Sequence, residues 1–107
     1  MRIFQSPVKR FPGRVTLPGA YTFSQLIAWE QALDAAQVDG QSNNQQWQAL
    51  LPGILACVER FEINGIPEQP TVDTFPATPR KSVGLLLRWL IDCIGAVIAE
   101  DEDAPNA

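Results

Sequence analysis

Apolar residues recur with helical spacing through the last third of the chain. Val83, Leu86, Leu87, Leu90, Ile94, Val97 and Ile98 fall on one helix face, and Leu85, Trp89 and Cys93 widen it. The remaining stripe is narrow: Gly84, Arg88, Asp92, Gly95 and Ala99. This pattern predicts a helix to about Ala99. Thr78 is placed to cap it, and Pro79 suits a first helical position, where a missing N–H costs nothing. Arg88 and Asp92 stand four apart and can pair across one turn. A helix apolar nearly all round is either the centre of its fold or pressed against a partner, and the central position is the simpler expectation. Its glycines each lower helix propensity by about 1 kcal/mol, which hints at close packing.

Two earlier stretches also carry helical stripes. Leu26, Trp29, Leu33 and Ala36, with Phe23 and Ile27, predict a first helix from about Thr22 to Gln37, opened by the capping-box pattern Thr22-Phe23-Ser24-Gln25. Trp47, Leu50, Leu51, Ile54, Cys57, Val58 and Phe61 predict a second, from about Gln45 to Glu62, after a polar loop with a Ser or Asn cap. Pro52 lies inside it, so a kink or a break is expected there. Asn64-Gly65 is the natural stop. The proline-rich connection from Pro67 to Pro79 reads as extended, anchored by Val72 and Phe75.

The first twenty residues do not favour helix. Arg14-Val15-Thr16-Leu17 is strand-like between Pro12-Gly13 and Pro18-Gly19 turns, and either Ile3-Phe4-Gln5 or Val8-Lys9-Arg10-Phe11 could supply a second strand. A lone hairpin is marginal in water and must lean on helices or on another chain. The expected architecture is mainly α: a small helical domain of three main helices, the second kinked at Pro52, with a short β-like N-terminal segment. It is one domain over residues 1–107, divided into an extended arm (1–20), a helical core (22–99) and an acidic tail (100–107) expected to fray.

Charge and composition narrow the function. Net charge is −4, which disfavours nucleic acid as a partner. There is no histidine, so the commonest general base and metal ligand are missing. Cys57 and Cys93 fall on apolar helix faces and read as buried free thiols of a reduced compartment, with a disulfide the minority case. No apolar leader opens the chain, so the expected location is the cytoplasm. The apolar run from Val83 to Ala99 is short for a membrane span and holds Arg88 and Asp92 near its middle, so no membrane role is expected. Arg2, Lys9, Arg10 and Arg14 lead the chain, and Glu100 to Asp103 close it. The two ends could attract one another or meet charged partners, with solvation as the default.

No catalytic set emerges. There is no phosphate loop and no zinc spacing, and Ser24, Ser42 and Ser82 lack a histidine partner. Glu59 and Glu62 could pair their carboxylates on a helix end, but exposed acids explain them better. The chain is expected to be no enzyme and to need no cofactor or metal. Arg80 and Lys81 open a helix, where basic residues are mildly disfavoured, and this points to a contact. The tryptophans Trp29, Trp47 and Trp89 suit core packing, although one at a rim would be a binding hot spot. The partner-binding candidates are therefore Leu86, Trp89, Leu90, Cys93, Val97, Arg80 and Lys81.

Several segments together resemble the tail assembly chaperones of long-tailed bacteriophages. They are Phe11-Pro12-Gly13-Arg14-Val15-Thr16-Leu17-Pro18 before an amphipathic helix, Leu51-Pro52 with Ile54 to Phe61, Gly65-Ile66-Pro67, Thr74 to Arg80, and the closing aliphatic helix. The resemblance is one of format and carries no residue signature. It implies a small acidic helical protein of the host-cell cytoplasm. Such a protein binds the tape measure protein, or another phage tail protein, during tail assembly, and is absent from the finished virion. Self-association is open. The alternatives are a minor structural or tail-completion protein of the virion, and a small helical adaptor for a host protein.

Overall fold

Two reciprocal caps start the first two helices. Helix α1 spans Phe23–Ala35, and helix α2 spans Asn43–Cys57. The Thr22 hydroxyl accepts from the Gln25 backbone N–H, while the Gln25 side chain accepts from the Thr22 N–H. Ser42 and Gln45 repeat the arrangement at the head of α2. Each box satisfies two N–H groups that a helix start otherwise leaves bare. The chain is seen in a computed structural model that describes residues 1–103.

The architecture is α+β, which corrects the mainly α expectation. Strands β1 (Arg2–Gln5), β2 (Gly13–Leu17) and β3 (Arg60–Ile63) form one antiparallel sheet in the order β1-β2-β3. Helix α3 (Arg80–Asp103) completes the fold. The N-terminal hairpin uses the first of the two strand candidates, with Ile3 opposite Thr16 and Phe4 opposite Val15. The unexpected element is β3. The helical stripe assigns its residues to the end of the second helix, but α2 stops at Cys57 and Val58 is already extended. From there burial alternates, with Arg60 and Glu62 exposed and Phe61 and Ile63 buried, which is the period of a half-buried strand. Pairing with β2 supplies backbone partners that a continued helix would not need. Gly13 permits this pairing. Its φ is +137°, and a Cβ there would stand 2.1 Å from the Glu62 carbonyl oxygen.

The inner face of the sheet and all three helices share one core. Val15, Leu17, Phe61 and Ile63 join Leu51, Ile54 and Cys57 of α2 and the long face of α3. Leu86, Leu90 and Ile94 are fully buried. Helices thus cover one side of the sheet, while its outer side carries Arg14, Arg60 and Glu62. On that outer side Arg14 pairs with Glu62 at 3.2 Å, and Arg60 pairs with Glu68 at 3.0 Å. Arg2 pairs with Glu100, so the two charged ends do meet. Arg88 and Asp92 form no ion pair among the described residues.

Other boundaries also shift. Pro52 sits exposed within an uninterrupted α2, where water can satisfy the carbonyl that lacks its donor. Phe23 is 78% exposed and Ile27 is 38% exposed, so the inner face of α1 is carried by Trp29 and Ala32. Phe75 anchors the proline-rich connection, edge-on to Phe61 with centroids 6.1 Å apart, but Val72 stays 46% exposed. Helix α3 begins at Arg80, with the Pro79 carbonyl accepting from Val83 N–H, so Pro79 precedes the helix and Thr78 is not its cap. It continues past Ala99 to Asp103, into the expected tail; residues 104–107 lie outside the described part. Its 21-residue stretch Arg80–Glu100 is therefore long and apolar enough to cross a membrane, and the length argument against a span does not hold. What identifies α3 as a core helix is that its most apolar face is buried against the rest of the chain.

Close packing does use a glycine, but in α2. A Cβ on Gly53 would lie 2.5 Å from the Ala32 Cβ of α1, whereas one on Gly95 of α3 would meet nothing within 4 Å. Gly53→Ala should destabilise the protein by about 1–3 kcal/mol of overpacking, less the ~1 kcal/mol gained in helix propensity. Gly95→Ala should stabilise it by about 0.5–1 kcal/mol. Urea unfolding of the two variants should therefore shift the midpoint in opposite directions.

Candidate functional site

Three hollows meet around Trp47, in the second turn of α2, while a larger one of about 660 Å³ lies apart from them between residues 7–10 and Ser82 and Leu85 of α3. The Ser42 cap fixes where that helix begins, and so sets Asn43, Asn44 and Trp47 on the edge facing the start of α3. Phe75, seated in the core, holds the preceding connection alongside. An apolar groove of about 350 Å³ results, lined by Trp47, Leu51, Val72, Phe75, Pro76 and Leu87 among others. The indole lies across α3 beside Gly84, where a Cβ would meet Trp47 Nε1 at an ordinary van der Waals distance of 3.9 Å. The groove opens onto a polar recess of about 490 Å³ lined by Ser42, Asn43, Asn44, Trp47, Arg80 and Lys81. A third hollow, of about 490 Å³, lies on the other side of Trp47 and reaches Leu33, Arg88, Ile91 and Asp92.

The electrostatics are one-sided. No carboxylate lines either the apolar groove or the polar recess. Arg80 and Lys81 are exposed, and neither joins an ion pair among the described residues. Two uncompensated cations beside an aromatic and aliphatic trough suit a segment that is apolar on one side and acidic at its margin.

The structure divides the sequence-based candidates. Arg80 and Lys81 lie at this site. Leu86, Leu90, Cys93 and Val97 do not, because they are interior residues of the domain itself. As folded, they have no surface to offer a partner. Trp89 is half-buried against the same core and lines none of the three hollows. The residues missed are Trp47, Val72 and Pro76. Trp47 had been counted in the apolar stripe of its helix, and only its place beside the polar head of that helix hinted at a rim. Trp29, by contrast, is a core residue.

The remaining chemistry is muted. Glu59 and Glu62 no longer share a helix, because Glu62 sits in β3 and pairs with Arg14. Among the described residues no three His, Cys, Asp or Glu side chains cluster to hold a metal. Tyr21 donates to the Cys57 carbonyl oxygen at 2.8 Å. Burial raises its pKa, and the nearby Cys57 and Cys93 raise it further. Cys57 and Cys93 are free and buried, and desolvation pushes each thiol up to about 11. Neither is an activated nucleophile. No protein family, no curated protein and no solved structure matches this chain.

A thiol whose folded-state pKa exceeds its unfolded value holds its proton more tightly when folded. That contribution is complete below pH 9 and is lost as pH rises to about 11. The urea midpoint should therefore fall between pH 9 and pH 11. The fall should be shallower in the Cys57→Ala and Cys93→Ala double variant, read against its own midpoint at pH 8. In the native chain both thiols should resist a thiol-specific reagent at pH 8 and react once urea unfolds it.

Proposed function

We propose that this chain is a non-enzymatic binding protein of the host-cell cytoplasm, a phage tail assembly chaperone that holds the tape measure protein during tail morphogenesis. The observation that carries the binding reading is the Trp47 groove, an apolar trough with unpaired Arg80 and Lys81 at its mouth. The format of the sequence supplies the choice of partner. A tape measure protein offers long helical segments with exposed apolar faces, and an amphipathic helix with acidic flanks matches the trough in both apolarity and sign.

The energetics would be concentrated. Trp47 is half-buried and can bury its exposed part on binding, as aromatic hot spots do. Arg80 and Lys81 stand in water, so their share is mainly orientation and association rate. On this reading recognition lies at the head of α3 and beside α2, away from the aliphatic stripe of α3.

Calorimetry against segments of the tape measure protein encoded beside this chain tests the reading. Trp47→Ala should weaken binding by about tenfold to a hundredfold, on the order of 1.4–3 kcal/mol. Arg80→Glu with Lys81→Glu should slow association and weaken its dependence on salt. Leu85→Ser, outside the groove, should change neither. No binding to any segment, or binding indifferent to Trp47, would sink the proposal; recovery of the protein in purified virions would move the reading to a structural tail component.

A further inference from the structure

The two edges of the sheet are treated differently. On β3 the outer edge is closed by the chain that follows it. Phe61 N–H donates to the Glu68 carbonyl at 3.0 Å, and the Ile63 carbonyl accepts from Ile66 N–H at 3.1 Å. On β1 nothing plays that part. Ser6 N–H donates to the Gly13 carbonyl at 2.9 Å, which marks residues 6 and 13 as a hydrogen-bonded pair. Alternation along the register then turns Arg2 and Phe4 inward to β2, and turns the N–H and C=O groups of Ile3 and Gln5 outward. Among the described residues those groups have no protein partner.

Apart from its shortness, β1 lacks the usual guards of an open edge. It holds no proline, no lysine and no bulge. Instead Met1 and Ile3 are 81% and 55% exposed along it. Its single charge, Arg2, lies 4.9 Å from the centroid of Phe4 and is neutralised by Glu100 of the same chain. Apart from the α-amino group of Met1 at its end, the edge therefore carries no net charge, so little opposes its pairing with a copy of itself.

We infer that the outer edge of β1 is a homodimer interface, on which a second copy of this chain adds its own β1 antiparallel about Ile3. In that register Ile3 faces Ile3 of the copy and exchanges two main-chain hydrogen bonds with it. Gln5 faces Met1 on either side, and the two sheets join into one of six strands. The arrangement is isologous and closed, so it ends at two copies. Arg2 comes opposite the copy's Phe4, with its charge already met. The four-residue strand gives a small contact, below the ~800 Å² per partner of standard interfaces, so the dimer is weak and concentration-dependent.

Sedimentation of the untagged chain over roughly 1–300 μM should show a reversible monomer–dimer equilibrium, as suits an interface of that size. Ile3→Pro removes an outward N–H and no bond to β2, and should weaken the dimer by about tenfold or more. Ile3→Lys guards the edge in a different way and should act in the same direction. Circular dichroism would establish that each variant folds, and Ile3→Lys carries the test if Ile3→Pro does not. Leu85→Ser removes another exposed apolar side chain away from this edge and should leave the dimer intact. A chain that stays monomeric throughout, or a dimer indifferent to both Ile3 changes, overturns the inference. So does a dimer that Leu85→Ser disrupts equally. These outcomes are independent of tape measure binding, which is read at Trp47.

Discussion

Burial of the aliphatic face of α3 is the constraint on which the other elements depend. Leu86, Leu90 and Ile94 are wholly removed from water, and Val83, Leu87 and Val97 nearly so. At roughly 1.5–3 kcal/mol for each large side chain, this one face contributes on the order of 10 kcal/mol. That is comparable to the whole net stability of a domain of this size. The sheet and α2 supply the surface that receives it, through Val15, Leu17, Phe61 and Ile63 on one side and Leu51, Ile54 and Cys57 on the other. A three-stranded sheet of four- and five-residue strands has little independent stability, so the dependence runs in both directions.

Legibility in the sequence followed the locality of the signal. The cap of α1 could be read directly, because a capping box is a contact between residues three apart. The α3 face could be read because seven positions repeat one period. The strand β3 could not. Ile54, Cys57, Val58 and Phe61 continue a helical stripe, and the alternation of Phe61 with Ile63 is too short to outweigh it. What decides it is the partner. Gly13, with positive φ and no Cβ to strike the Glu62 carbonyl, opens a place beside β2 that residues 60–63 fill from nearly fifty positions away. A pairing between distant segments leaves no periodic mark in either one, and so the pattern along the chain reads as mainly α where the fold is α+β.

The site was half legible for the same reason. Arg80 and Lys81 stand out because basic residues at a helix start need an explanation. Leu86, Leu90, Cys93 and Val97 stand out only as apolar, and apolarity does not distinguish a core face from an interface. Their place in the interior resolves that ambiguity. Trp47 needed the opposite information. Its helical stripe argued for the core, but a tryptophan so near the head of α2 lies where that helix, the connection and α3 leave a trough.

The chemistry left on the surface supports the proposal of recognition rather than reaction. The groups best suited to attack a substrate are Cys57, Cys93 and Tyr21, and burial holds all three in their protonated forms. The carboxylates with ion-pair partners, Glu62, Glu68 and Glu100, have their charge met by Arg14, Arg60 and Arg2. Other unmet interactions are different in kind: a half-buried indole beside Arg80 and Lys81, and a row of main-chain donors and acceptors along β1. None of these makes or breaks a covalent bond, and each can be met by another chain in place of water. Two separate surfaces therefore hold interactions that another chain could meet, one suited to an amphipathic segment and the other to an additional strand.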